Sequence, residues 1–378
     1  MLVALAASVM FCGGADSGSY LLRVERALEG GRGDLAAMRG PAEEAAKRLA
    51  DGGALYAAGQ VSMVSEVSGR AGGFHMLQGL GDKIPAAGDV VLWFQEAEEA
   101  LPRGLRDSGA YVVAFGSVKP EGDVPFFSNH AKECGVSPTL ANAVPGWLFT
   151  GELIAALTRL GKSPVLMESI GTYSGITRMK QYEKDGTRFH ADMQVPAAAP
   201  GVLGNRYCDT VGAMLKRVEA EERDELNLAG NWCADAKAQG KKLFMYSMGH
   251  LFPDEVGKTE IGMVFASAVW NAGFRLSPGP EDAYAAGDAI VHIGYQHPPR
   301  ELLRKAVPAG GRVAYVSVMA DRDFVKGAEA VWIDPMWPWM DACVTLEGYE
   351  VPVLASSGIV NGAIAWEIYR VTMRIADK

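Results

Sequence analysis

Apolar residues along the chain fall into two alternating patterns. The first is a short, nearly continuous run. Gly53 to Gly59 reads GALYAAG and Lys241 to Gly249 reads KKLFMYSMG, and each ends in glycine. Such a run suits a buried parallel strand entering a tight loop. The second is a longer stretch with apolar positions at helical spacing. Tyr20 to Leu49 carries it, with breaks expected near Gly30–Gly33 and Gly40-Pro41, after which PAEEAAKRLA restarts the helix. Proline at a helix start and acidic residues in the first turn fit that restart. Asp209 to Gln239 is another long, charged stretch of helical spacing. Strands alternating with helices predict a parallel sheet covered on both faces.

The pattern also repeats itself. Besides the two glycine-ended runs, Ala86 to Leu92 (AAGDVVL) pairs with Ala285 to Val291 (AAGDAIV). Gly109 to Ser117 (GAYVVAFGS) pairs with Gly311 to Val318 (GRVAYVSV). Val144 to Leu157 (VPGWLFTGELIAAL) pairs with Ser356 to Ile368 (SSGIVNGAIAWEI), each expected to set a glycine just before an amphipathic helix. Any one pair can arise by chance; four in the same order point to a duplicated unit. The proline- and glycine-rich stretch Gln194–Gly204 marks the boundary. Before it, Ser163 to Met193 carries turn signals and reads as a hairpin or crossover arm. The expected organisation is an apolar segment at 1–19, a first domain at 20–200 and a second at 201–378. A length of 378 residues suits two domains.

Met1 to Cys12 is nearly all apolar and is followed by small polar residues. It reads either as an export signal, slightly favoured, or as a buried first element. It is too short to span a membrane, and no other segment is a spanning candidate. The net charge of −9 and the lack of a basic run argue against nucleic acid. The five scattered cysteines give neither a zinc framework nor a disulfide scaffold. The six histidines have no metal-binding spacing, and no metal or redox cofactor is implied. The nucleophile elbow and the nucleotide phosphate loop are absent.

The strongest local chemistry follows the first strand, where Gly59 to Leu77 reads GQVSMVSEVSGRAGGFHML. A glycine there lets the backbone turn and approach a ligand. The next helix then offers unpaired N–H groups at its start. Ser62 caps that helix or meets a ligand. Glu66 lies one turn on, as a ligand group or as the partner of Arg70. Gly59, Ser62, Glu66, Arg70, Ala71, Gly72 and Gly73 together resemble the glycine loop of the sugar isomerase (SIS) phosphosugar-binding family. Weaker echoes stand at Gly249-His250 and Glu255. The resemblance implies an α/β fold of two tandem three-layer αβα domains with parallel sheets. It also implies a sugar or sugar phosphate as partner. Assembly into a homo-oligomer stays open.

The chain departs from that family after the next strand. A loop rich in serine and threonine is expected there; Phe94 to Leu105 instead reads FQEAEEALPRGL. Glu96, Glu98 and Glu99 would repel phosphate, which Arg103 and Arg106 offset only in part. In the second half His292, His297 and Arg300 are the anion candidates, with Ser356 and Ser357 at the start of the last helix. An isomerase of this class needs a base and a group that opens the sugar ring. Glu66 and His250 are the candidates by position, and Gly59, Gln60, Ser62 and Arg70 complete the expected binding set. Trp337 and Trp339 either stack on a sugar or pack as a proline-bounded loop. The two functions in contention are sugar or phosphosugar binding with aldose–ketose isomerisation, and ligand sensing or assembly without catalysis.

Overall fold

The structure is a computed structural model. It describes residues 18–96, 99–169, 173–247, 250, 252–267, 284–294, 300–318, 322–326 and 328–376. The apolar run at Met1–Cys12 lies outside these residues, as do Glu98, Gly249 and His297.

The first half opens with helix α1 (Tyr20–Ala50). Strand β1 (Leu55–Gly59), helix α2 (Val61–Val67), β2 (Leu77–Gly79) and β3 (Val90–Phe94) follow. Then come α3 (Arg103–Asp107), β4 (Tyr111–Gly116), β5 (Phe126–Ser128), α4 (Ala131–Cys134) and α5 (Pro138–Arg159). The linking arm pairs β6 (Ser163–Pro164) antiparallel with β7 (Phe189–His190) around helix α6 (Tyr173–Asp185). The second half begins with α7 (Val202–Glu221) and α8 (Arg223–Ala238). It continues through β8 (Leu243–Ser247), α9 (Phe252–Gly257), α10 (Glu260–Val264), β9 (Ala266–Ser267) and β10 (Ala289–Ile293). Next are α11 (Arg300–Ala306), β11 (Arg312–Val316), α12 (Arg322–Val325) and β12 (Ala330–Ile333). The short pair β13 (Ala342–Val344) and β14 (Val353–Ala355) leads into α13 (Ser357–Ala376).

The fold is α/β with parallel sheets, as expected. Among the described residues one five-stranded sheet runs β2-β1-β3-β4-β5 and the other β12-β11-β10-β8-β9, every neighbouring pair parallel. Counted within its own half, each sheet has the order 2-1-3-4-5. The two AAGD segments do the same work. Asp89 accepts the N–H groups of Ala54 and Ala86, and Asp288 accepts those of Lys242 and Ala285. Each aspartate thereby ties the turn before the third strand to the start of the first.

Central strands are apolar on both faces because both faces are covered. On β3, Val90, Leu92 and Phe94 face one cluster, while Val91 and Trp93 face another with Leu101 and Leu105 around α3. In the second sheet the outer face packs Ile290, Tyr315 and Trp332 against Leu302 and Ala306 of α11. The inner faces of both sheets join a single buried cluster with α1, α5, α7, α8 and α13. That cluster crosses the boundary expected near residue 200.

Three local expectations are corrected. Helix α1 runs unbroken through Gly30–Gly33 and Pro41. Its glycines serve close packing instead: a Cβ on Gly31 would lie 2.8 Å from Leu148 and Val144 of α5. The last repeat is out of register, because α5 begins at Pro138 and α13 at Ser357. Gly146 is therefore inside a helix, and Ser137 corresponds to Ser356. The stretch at Asp209–Gln239 is two helices, divided at Glu222. Helix α5 is long and apolar enough to cross a membrane, yet it is wholly buried as the core helix beside the first sheet. Within it Thr150 bonds the Gly146 carbonyl, and Glu152 Oε1 accepts the N–H of Gly201.

Candidate functional site

The glycine loop ends in a place where both halves meet. Gly59 takes φ +89 at the end of β1, and a Cβ there would sit 2.0 Å from the Phe94 carbonyl oxygen. Only glycine fits so close an approach. The chain then turns into α2, which buries Ser62 and Glu66 on one face, with Arg70 just beyond its end. Glu66 is fully buried; its Oε1 accepts the Trp147 indole N–H at 3.2 Å and lies 3.7 Å from Arg70. The Ser62 hydroxyl has no hydrogen-bond partner among the described residues.

The other wall comes from the second half. Arg70 reaches Asp341 Oδ2 at 2.8 Å and donates to Ser357 Oγ at 2.5 Å. Asp341 Oδ1 accepts the N–H groups of Ser356 and Ser357 at 3.1 and 2.8 Å. The approach is tight enough that a Cβ on Gly358 would lie 2.2 Å from Glu66 Oε1. His250 completes the group, its Nδ1 2.9 Å from the Ser65 carbonyl oxygen. A carbonyl only accepts, so Nδ1 carries the proton and Nε2 the lone pair. Burial, then the charge of Arg70, pushes the imidazole down to about 3, against the bond to Ser65. The ring is therefore neutral at physiological pH.

Three non-glycine residues here hold left-handed backbone: His250 at φ 61, Asp341 at φ 70 and Leu354 at φ 65. The last donates its N–H to Gly72 of the RAGG turn. Such conformations cost of order 1–3 kcal/mol each and gather where geometry serves function.

A second seam site mirrors the first. Glu255 of α9 is fully buried and accepts the Trp366 indole N–H at 2.5 Å, as Glu66 accepts that of Trp147. It meets Ser137 and Thr139 at the start of α5, as Glu66 lies against Gly358 at the start of α13. Position 259, four residues after Glu255 as Arg70 is four after Glu66, holds threonine. Burial pushes the Glu255 carboxyl up to about 7, against hydrogen bonds from Ser137, Trp366 and Thr139.

The strand ends of the first half are filled by amides. Gln95 accepts the N–H groups of Ser117 and Val118 and donates to the Glu99 carbonyl. Asn142 donates to Gln60 Oε1 and to the Gln95 carbonyl, and Gln60 donates to Thr139. The loop that lacks the serines thus turns the Gln95 side chain onto the end of β4. Glu96 is half-exposed, 3.9 Å from Lys258.

The remaining second-half candidates whose side chains the structure describes are Ser356, Ser357 and His292. Ser356 and Ser357 face Arg70 and Asp341. His292 sits mid-strand on β10 beside Tyr315, with Nδ1 unpartnered among the described residues. Burial pushes its imidazole down to about 4. The Arg300 side chain lies outside the described residues. Trp337 is buried and donates to Asn361, so it packs as part of the loop. Asp341, Trp147 and Gln95 escaped the sequence reading. The pattern S-x₄-N-x₄-W, at Ser137, Asn142 and Trp147 and again at Ser356, Asn361 and Trp366, was the signal for the helix starts. No cluster of three or more metal-ligating side chains occurs among the described residues. A cavity of about 430 Å³ opens elsewhere, beside Ser19, Arg223, Glu367 and Arg370, and includes none of the seam residues.

No family model matches the chain, and no curated protein matches it. Solved structures do resemble it. A Salmonella typhimurium LT2 protein named for sugar binding is 10% identical, covering 94% of this chain and 99% of its own, with a TM-score of 0.47. A Silicibacter pomeroyi DSS-3 protein named as a phosphosugar isomerase is 12% identical, covering 95% and 97%, with a TM-score of 0.43. Tagatose-6-phosphate ketose/aldose isomerase from Escherichia coli is 12% identical, covering 97% and 94%, with a TM-score of 0.42.

Proposed function

We propose that the protein binds a sugar or a sugar derivative of the SIS class at the seam between its halves. The convergence of Ser62, Glu66 and Arg70 with His250, Asp341 and Ser357 carries this reading. These groups come from opposite halves and form a buried polar cluster with strained backbone around it. Gly59 and Gln60 shape the loop that brings α2 to the seam. In an aldose–ketose isomerisation, Glu66 would move the proton between adjacent carbons. Neutral His250, with its lone pair on Nε2, would accept the proton of a sugar hydroxyl. The shared strand order, the twin AAGD clasps and the paired Glu–Trp contacts support an origin by duplication.

A thermal-shift series with free hexoses, hexose phosphates and sugar acids tests binding. A true ligand raises the melting temperature in step with RT ln(1 + [L]/Kd). No shift with any of them at millimolar concentration would remove the sugar reading. The Gln95-filled strand ends favour a second reading, sensing or assembly without catalysis. It holds if a sugar binds while proton exchange with solvent at the carbon next to its carbonyl stays at the uncatalysed rate.

A further inference from the structure

The Asp341 carboxylate is held by groups from both halves. One carboxylate oxygen meets the buried Arg70 guanidinium at 2.8 Å, and the other accepts two backbone N–H groups. Those N–H groups open α13, a helix of 20 residues, so its positive end points at the same oxygen. Ser357 Oγ accepts from Arg70 and fixes the fork. A guanidinium, paired N–H groups and a hydroxyl are the usual means of holding an oxyanion. The backbone of Asp341 is anchored separately. Its N–H donates to Pro338 and its carbonyl accepts from Ser356 Oγ. The carboxylate can therefore leave by rotation of the side chain alone.

We propose that this cradle is an anion site occupied by the protein's own Asp341, and that the ligand is a sugar carrying a carboxylate, which displaces Asp341 on binding. The proposal rests on the sugar-binding reading and names its ligand class. Charge decides for a monoanion. Arg70 is the cation of the cradle, and Glu66 stands 3.7 Å from it. Exchanging one carboxylate for another leaves the buried charge unchanged. A phosphomonoester dianion would add a negative charge beside Glu66, which a desolvated site penalises.

Calorimetric titration of the full chain tests this, with glucuronate, glucose 6-phosphate, glucose and acetate as probes. Asp341→Gly removes the carboxylate and suits a residue at φ 70. Glucuronate and acetate should each bind about tenfold or more tightly to this variant than to wild type, while glucose is unchanged. Asp341→Asn keeps the N–H contacts but loses the charge on Arg70, and should gain less, in the same order of probes. It serves as the test variant if the glycine form fails to fold. A folded variant with no gain for glucuronate or acetate overturns the cradle. A larger gain for glucose 6-phosphate overturns the carboxylate assignment. An acetate gain without binding of any sugar upholds the cradle and sinks the sugar reading. Sugar binding indifferent to both variants does the reverse.

Discussion

Glu66 and Glu255 occupy matching places and differ in one neighbour. Glu66 has Arg70 beside it, whereas Glu255 has hydrogen bonds but threonine at the corresponding position. Burial holds the charged form of Glu255 poorly, against those hydrogen bonds, and its folded value of about 7 stands above the ordinary 4.5. A raised folded value means stability that is complete below about pH 4.5 and is lost as pH rises towards 7. The size is about 3 kcal/mol across that window. Glu255→Gln removes this titration. Denaturant unfolding at pH 5, 6, 7 and 8 should show the variant gaining on wild type up to about pH 7 and levelling off beyond it, and parallel profiles would refute the assignment. Site legibility follows the same residues. The serine, glutamate and arginine around the first glycine loop could be seen in sequence, because loop and helix are local. Asp341 could not, since its partners lie 271 positions upstream at Arg70 and 15–16 downstream at Ser356 and Ser357.

At the scale of elements, the runs that become strands were legible because burial on both faces makes them uniformly apolar. Helix limits were less so. Glycine and proline in α1 read as a break, yet tertiary contact with α5, α7 and α13 overrides their weak local preference. The glycines of α1 divide by environment. Gly33 and Gly40 have open space where a Cβ would go, whereas Gly31 faces Leu148 and Val144. Replacing Gly33 or Gly40 by alanine should therefore stabilise the protein by about 0.5–1 kcal/mol. Gly31→Ala should destabilise it, by about 1–3 kcal/mol of overpacking. Thermal melts of the three variants check both signs, and a stabilised Gly31→Ala would show that the α1–α5 packing is wrong.

Among the described residues the molecule has two five-stranded parallel sheets whose inner faces share one buried cluster. The sequence repeat suggests two separable domains, but repeats record chain pattern and not which surfaces are buried against each other. The inner faces of both sheets pack on helices drawn from both halves. Urea unfolding should accordingly be one cooperative transition, with fluorescence and circular dichroism superimposing. A fragment of residues 1–200 should fail to show a native-like melt; two resolved transitions, or a stable fragment, would argue for independent domains. Helix α1 also rests on the last helix. Tyr20 donates its backbone N–H to Glu367, and Arg370 donates to the Gly18 carbonyl. During synthesis α1 leaves the ribosome before α13, which follows more than 300 residues later. At ordinary translation rates that is a delay of roughly tens of seconds. Through that interval Tyr20 and its neighbours wait without the surface they finally cover, so the nascent chain presents apolar helix to chaperones and proteases until α13 has been made and docks.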